Sequence, residues 1–509
     1  MTDHFSNRKS GILLHPTSLP GAYGIGEIGL AAKTFLHQLS RMKQGIWQVL
    51  PMGPTGYGDS PYQSFSSFAG NDLLICFDTL KEEGLLLDSD LEGFPHFDPE
   101  RISFGDVIPQ RMEVLAKVCE RFDLQGPLAE SFEAFCQREA YWLDNYALFR
   151  AIKTSRGERP WTEWPEPLRT RNDQALAEAR EALAPQILHI KIRQFLFDRQ
   201  WSELRALAKE RGILIVGDIP IFVAHDSADV WSDPELFFLK DDGHPTVVAG
   251  VPPDYFSETG QLWGNPLYDW PKHKETNYAW WSRRVQRCMD WYDIVRIDHF
   301  RGFEAYYEIP GDAETAVNGR WVKGPDKDLF YGLRENLGDL PIIAEDLGVI
   351  TDEVDELRDT FEFPGMRIMQ FSFGPPDEDQ KEPLDFPERC VAYTGTHDND
   401  TFAGWYHRVA GENNSDSAEG IAGEHARIEP YFKGKTRSLH YNAIQILLET
   451  KAQTAVFPLQ DLMGIGSEGR MNRPGIPAGN WQWRYLEAML TDECMDTCAE
   501  ITKQTHRLS

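Results

Sequence analysis

Eight short apolar runs punctuate this 509-residue chain, and they constrain its fold more than any other feature. They lie at 12–15, 46–50, 213–223, 294–300, 342–347, 366–371, 391–396 and 455–459. Most are continuous in Ile, Val, Leu, Met and Phe rather than alternating with polar residues. That is the pattern of parallel strands covered on both faces. Helical patterns fall beside several of them, at 31–42, 277–291, 327–337 and 351–360. Strands alternating with helices predict βα units. Eight such strands predict an α/β fold, a closed (β/α)8 TIM barrel.

Three stretches exceed a minimal barrel. Residues 72–195 are long, charged and mostly helical, with helices expected over 172–183 and 188–211 and Asn172 as a cap for the first. Residues 224–270 read as loop, rich in Gly, Pro and aromatics, and 401–454 run from polar to helical. We therefore expect a single catalytic barrel domain over 1–509. Residues 72–195 form an inserted helical subdomain between strands two and three. Residues 224–270 form a substrate-binding loop insertion after strand three, and 401–454 a helical insertion after strand seven. Insertions on the top loops of a barrel are where specificity is usually built.

Composition narrows the partners. Apolar residues make up 41%, enough for a large core. Acidic residues outnumber basic ones by 80 to 51, giving a net charge of −29. That argues against nucleic acid or an anionic membrane, both of which need positive charge. No apolar run approaches the ~18 residues of a membrane span. The start lacks a basic-then-apolar signal pattern, and the seven scattered cysteines read as reduced thiols, so a cytoplasmic location is expected. Cys494 and Cys498, one helical turn apart, read as two thiols on a helix face.

In this architecture catalysis uses residues at the carboxyl ends of the strands. The third run carries Asp218, and the fourth carries Arg296, Asp298 and His299. The fifth ends in Glu345 and Asp346, and the seventh in His397 and Asp398. A single acid after a strand is usually a helix cap or a solvated charge; four at one end of a barrel point to one site. Arg296 and Asp298 are spaced i, i+2, so they share one side of a strand. A nearby guanidinium favours a charged carboxylate, as a nucleophile requires, although a structural ion pair has the same spacing. Glu345 and Asp346 face opposite ways, and the run itself does not say which faces the site. Two facing carboxylates are the minimum for glycosidic chemistry. A divalent-metal site from His15, Asp218, Asp298, Glu345 and His397 is a weaker alternative, because no HxH, HExxH or DxDxDG spacing supports it.

Two loops offer a binding surface. The 53–63 loop holds Tyr57 and Tyr62 among Gly and Pro. The 250–266 loop sets Tyr255, Phe256 and Trp263 among carboxyl and amide groups, the composition of a sugar-binding lid or of a rigid surface loop with its aromatics tucked in.

At these segments the sequence resembles the amylomaltases, 4-α-glucanotransferases of the disproportionating-enzyme type within the α-amylase-like barrel clan. The likeness spans about residues 11–485. It is carried by 14–20 (LHPTSLP), the 53–63 loop, 218–223 (DIPIFV), the 250–266 loop, 296–300 (RIDHF), 344–347 (AEDL) and 396–399 (THDN). The resemblance implies Asp298 as nucleophile, Glu345 as general acid/base and Asp398 as a third acid gripping the distorted sugar at its 2- and 3-hydroxyls. It implies Arg296 and His397 at subsite −1, with His299 and Asp218 lining the same region and Tyr62 and Trp263 on binding loops. Residues 470–476 (RMNRPGI), with Asn472, resemble a further family loop, where Ile476 replaces the usual Thr. The implied activity is transfer of α-1,4-glucan segments between malto-oligosaccharides through a glucosyl–Asp intermediate, or hydrolysis on the same carboxylates. Donors are starch- or glycogen-derived glucans and glucose is an acceptor. No cofactor or metal is expected, and neither an extra amino-terminal domain nor a transit peptide.

Overall fold

The computed structural model describes residue 5 and residues 7–253, 258–374, 382–411, 416–476 and 478–507. Among these, the strands in chain order are β1 (Lys9–Leu13), β2 (Ile46–Gln48), β3 (Leu214–Pro220), β4 (Val247–Val251), β5 (Gln261–Pro266), β6 (Ile294–Asp298), β7 (Ala305–Pro310), β8 (Arg320–Lys323), β9 (Ile342–Ala344), β10 (Gly365–Ile368), β11 (Cys390–Tyr393) and β12 (Thr454–Pro458). Eight of them form one sheet in the order β10-β11-β12-β1-β2-β3-β6-β9, every adjacent pair parallel. The Ala344 N–H of β9 donates to the carbonyl of Pro364, just before β10, at 2.9 Å. That bond brings the two ends of the sheet together, and the fold is a (β/α)8 barrel. Each apolar run expected to be a barrel strand contributes one.

The strands are buried on both faces, which is why they read as unbroken apolar runs. Packing between β1 and β2 is close enough to demand glycine: a Cβ on Gly11 would stand 2.4 Å from the Ile46 Cβ.

Helices occupy Leu30–Arg41, Ala279–Trp291, Lys327–Leu337 and Asp352–Thr360, where the pattern places them. Between β2 and β3 the chain is chiefly helical, including Asp173–Ala182 and Ala184–Glu210. Asn172 caps the former by accepting the Ala175 N–H. Cys494 and Cys498 lie on the helix Asp492–Gln504.

The sequence reading of 224–270 as loop is corrected in part. That stretch holds β4 and β5, which join β7 and β8 in an antiparallel sheet of order β5-β4-β7-β8. β5 and β8 are short and largely exposed, so no apolar run marks them. Residues 254–257, with Tyr255 and Phe256 of the expected aromatic lid, lie outside the described residues.

Candidate active site

The register of the barrel assembles the site. β3 pairs with β6 so that Asp218 stands opposite Arg296 and Pro220 opposite Asp298. Arg296 Nη1 donates to both Asp218 oxygens, at 2.8 and 2.6 Å, and its Nη2 donates to Asp298 Oδ1 at 2.8 Å. The guanidinium is buried, whereas the Asp298 side chain keeps 31% of its surface open. The i, i+2 spacing thus places acid and base on one side of the strand, with the acid at the mouth.

Past β6 and β9 the two chains stay laddered. The Glu345 N–H donates to the Ile297 carbonyl, and the Glu345 carbonyl accepts the Phe300 N–H, both at 3.1 Å. Glu345 therefore lies alongside 298–299. Its Oε2 accepts the His299 N–H at 2.7 Å, and its Oε1 accepts the Leu347 N–H at 2.9 Å. Burial, then the charge of Asp298, pushes the Glu345 carboxyl up to about 8, against the pull of Arg296 and the two amides. A carboxylic acid that keeps its proton at neutral pH is the form a proton donor needs.

Asp346 turns the other way. It accepts the Met366 N–H at 2.7 Å and pairs with Arg358 at 2.6 Å and Arg367 at 3.2 Å. Gly365 makes room: a Cβ there would stand 2.3 Å from Asp346 Oδ2. The pairing makes Asp346 a structural anchor and leaves Glu345 to face Asp298.

The turn after β11 brings the third acid. Asp398 Oδ2 pairs with His397 Nε2 at 3.2 Å, and its Oδ1 accepts Asn472 Nδ2 at 2.6 Å. Desolvation opposes its charge, but the adjacent His397 ring and the Asn472 amide outweigh it and hold Asp398 well below the usual carboxylate range. Desolvation likewise disfavours the charged His397 ring, and Asp398 reverses this to raise it. The two directions agree, each group favouring the charged form of the other.

Aromatic rings line the opening. The Tyr62 hydroxyl donates to Asp218 Oδ2 at 2.8 Å, and its ring stacks on His397 with centroids 5.1 Å apart. Burial, opposed by Arg296 and supported by Asp298, pushes Asp218 up to about 6. Trp263 of β5 meets His299 edge-on at 4.9 Å. His299 adopts left-handed backbone, φ +56°, which points its N–H at Glu345. Burial lowers its imidazole to about 4.

The ten residues that the resemblance implies for the site therefore join one connected network. Sequence reasoning missed two neighbours. Arg470 Nη2 donates to the Asp398 carbonyl at 2.7 Å. Trp481 lies against both Tyr62 and His397, at 5.9 and 5.8 Å. Arg470 stood within the quoted 470–476 segment; nothing in the pattern marked Trp481. Ile476 is half-exposed on that loop and its carbonyl accepts Asn480 Nδ2 at 2.7 Å. Among the described residues, no group of three His, Cys, Asp or Glu side chains is arranged to hold a metal, and no helix is long and apolar enough to cross a membrane.

A (β/α)8 barrel presenting a buried glutamic acid beside an arginine-paired aspartate is an arrangement suited to a carbohydrate-active enzyme of the glycoside-hydrolase type. The chain belongs to glycoside hydrolase family 77, whose model, described as 4-alpha-glucanotransferase, matches residues 14–490. It is 46% identical over 505 residues to a 4-alpha-glucanotransferase of Thermus thermophilus, covering 98% of this chain and 99% of that one. It is 44% identical over 490 residues to one of Synechocystis sp., covering 95% of each. Its fold matches an amylomaltase from Streptococcus agalactiae in complex with acarbose, with a TM-score of 0.93 at 40% identity over 99% of this chain and 100% of that one. An amylomaltase from Corynebacterium glutamicum shares the fold at a TM-score of 0.81 and 18% identity, over 98% of this chain and 75% of that one.

Proposed function

We propose that the protein transfers α-1,4-glucan segments between malto-oligosaccharides by a retaining double displacement. The observation that carries this reading is the buried Glu345 carboxyl, whose Oε2 accepts at 2.7 Å the N–H of the peptide that follows Asp298. In the first step Glu345 gives its proton to the departing 4-oxygen while an Asp298 oxygen attacks C1. The C1–O4 bond breaks and a glucosyl–Asp ester forms through an oxocarbenium-like transition state. Asp398, held by His397 and Asn472, binds the 2- and 3-hydroxyls of the distorted sugar most strongly there. In the second step Glu345, now ionised, takes the proton of an acceptor 4-hydroxyl. That oxygen attacks C1, the ester breaks, and Asp298 leaves as carboxylate.

Donors are starch- or glycogen-derived malto-oligosaccharides, and glucose serves as an acceptor; the 4-alpha-glucanotransferase description of the family and of the named relatives supports an α-glucan substrate. No cofactor takes part. The 72–195 helices act as an inserted subdomain, 401–454 as a second helical insertion, and 224–270 as the substrate-binding insertion that carries Trp263. Transfer requires that water be kept from the ester while the acceptor site is filled, a task we assign to the 250–266 segment.

Digestion of maltotriose followed by thin-layer chromatography tests the reading. Glucose together with longer chains is expected. A steady rise in reducing ends without longer products would make the protein an α-1,4-glucan hydrolase on the same carboxylates.

A further inference from the structure

The loop that bears His397 and Asp398 is pinned at both ends by one buried acid. Thr394 follows β11 directly, and Phe402 opens the helix Phe402–His407. Between them run residues 395–401. Asp461, 1% exposed, sits on the short helix Leu459–Met463 after β12. Its Oδ2 accepts the Thr394 hydroxyl, and its Oδ1 accepts the Phe402 N–H at 2.6 Å. Inside the loop, Asn399 Oδ1 accepts the Thr396 N–H at 2.8 Å, and the Asp398 N–H donates to Thr396 Oγ1 at 3.3 Å. On its far side, Asp400 Oδ2 accepts Ser467 Oγ at 2.6 Å.

We propose that Asp461 is a positioning residue for Asp398: by clamping Thr394 and Phe402 it fixes the span of the 395–401 loop, and so where the third acid and His397 meet the sugar. The proposal rests on the transferase reading above. Asp461 touches neither Asp398 nor the mouth of the site; it acts through backbone. Errors of an ångström in a group that works chiefly in the transition state cost rate more than ground-state binding.

Burial, with Asp400's charge in support, pushes the Asp461 carboxyl up to about 7 against the two hydrogen bonds. An uncharged group of the same shape is therefore a fair substitute. Asn offers a carbonyl for the Phe402 N–H and an amide N–H for the Thr394 oxygen; Leu offers neither.

The test compares Asp461→Leu, Asp461→Asn and Thr394→Val in maltotriose disproportionation, with circular dichroism and melting to verify folding. For Asp461→Leu, kcat is expected to fall at least about tenfold with KM within about twofold. Asp461→Asn should restore kcat to within about threefold of wild type. Thr394→Val, which removes one of the two bonds, should fall between them and decides the matter if Asp461→Leu does not fold. Wild-type kcat in a folded Leu variant, an equal loss in the Asn variant, or in Thr394→Val either unchanged kcat or a loss that tracks melting alone would overturn the proposal. Failure of the wild type itself to disproportionate maltotriose would instead defeat the transferase reading.

Discussion

Glu345 Oε2 accepts the backbone N–H of His299, the residue next to Asp298, at 2.7 Å. The bond runs between the ends of two adjacent barrel strands, so the spacing of the two acids is built into the sheet rather than into a loop. The same contact leaves Glu345 buried beside a second carboxylate, and its raised pKa follows from that.

The first prediction concerns pH. On the mechanism proposed above Glu345 donates a proton in its raised-pKa form, so kcat/KM for maltotriose should fall as pH rises through about 8. A maltosyl fluoride needs no proton on its leaving group. Its rate should lack the alkaline limb, and Glu345→Gln should slow it far less than it slows maltotriose. Equal losses on both substrates would remove the proton-donor role.

The same shift makes a stability prediction. Glu345 rises from 4.5 to about 8 in the folded protein. Between those values the folded state holds a proton that the unfolded chain has lost, so stability falls as pH rises across that window and the penalty is complete above about 8. Glu345→Gln lacks the penalty. Its Tm should match wild type near pH 4.5 and exceed it at pH 9, by ~1 °C per kcal/mol recovered in a chain of this length. A gap that does not change with pH would contradict this.

Tyr62→Phe removes the hydroxyl that donates to Asp218 at 2.8 Å. That bond lowers the Asp218 carboxyl, so its loss should move the acid limb of kcat/KM to higher pH. A decrease in kcat/KM of about tenfold at neutral pH is expected from one lost hydrogen bond to a buried acid. An unmoved acid limb would assign Tyr62 to sugar stacking alone.

Asn472→Ala deletes the 2.6 Å bond to Asp398 Oδ1. Hydrogen bonds to charged groups are worth about 1.5–3 kcal/mol, so steady-state kinetics should show kcat reduced at least about tenfold. If only KM moved, Asn472 would be a sugar contact rather than a support for Asp398.

Much of this was legible in the residues. The barrel strands, buried on both faces, could be read as apolar runs because burial leaves no room for polar alternation. The sheet built from β4, β5, β7 and β8 was not: β8, Arg320–Lys323, is largely exposed and carries no such run. Alternation could say that Glu345 and Asp346 diverge but not which faces Asp298. The answer lies in partners distant in sequence, Arg358 and Gly365 on one side and the His299 amide on the other. Trp481 reaches the site from the far end of the chain, and no local spacing announces such a contact.

The proposed mechanism makes Asp298 covalently bound to the sugar. Its most direct test is to load Glu345→Gln with a maltosyl fluoride, quench in acid, digest with a protease and weigh the peptides. A maltosyl mass on the peptide containing Asp298, absent when Asp298→Asn is added, is expected. Turnover of the fluoride with no adduct at Asp298, or an adduct on Asp398 instead, would contradict it.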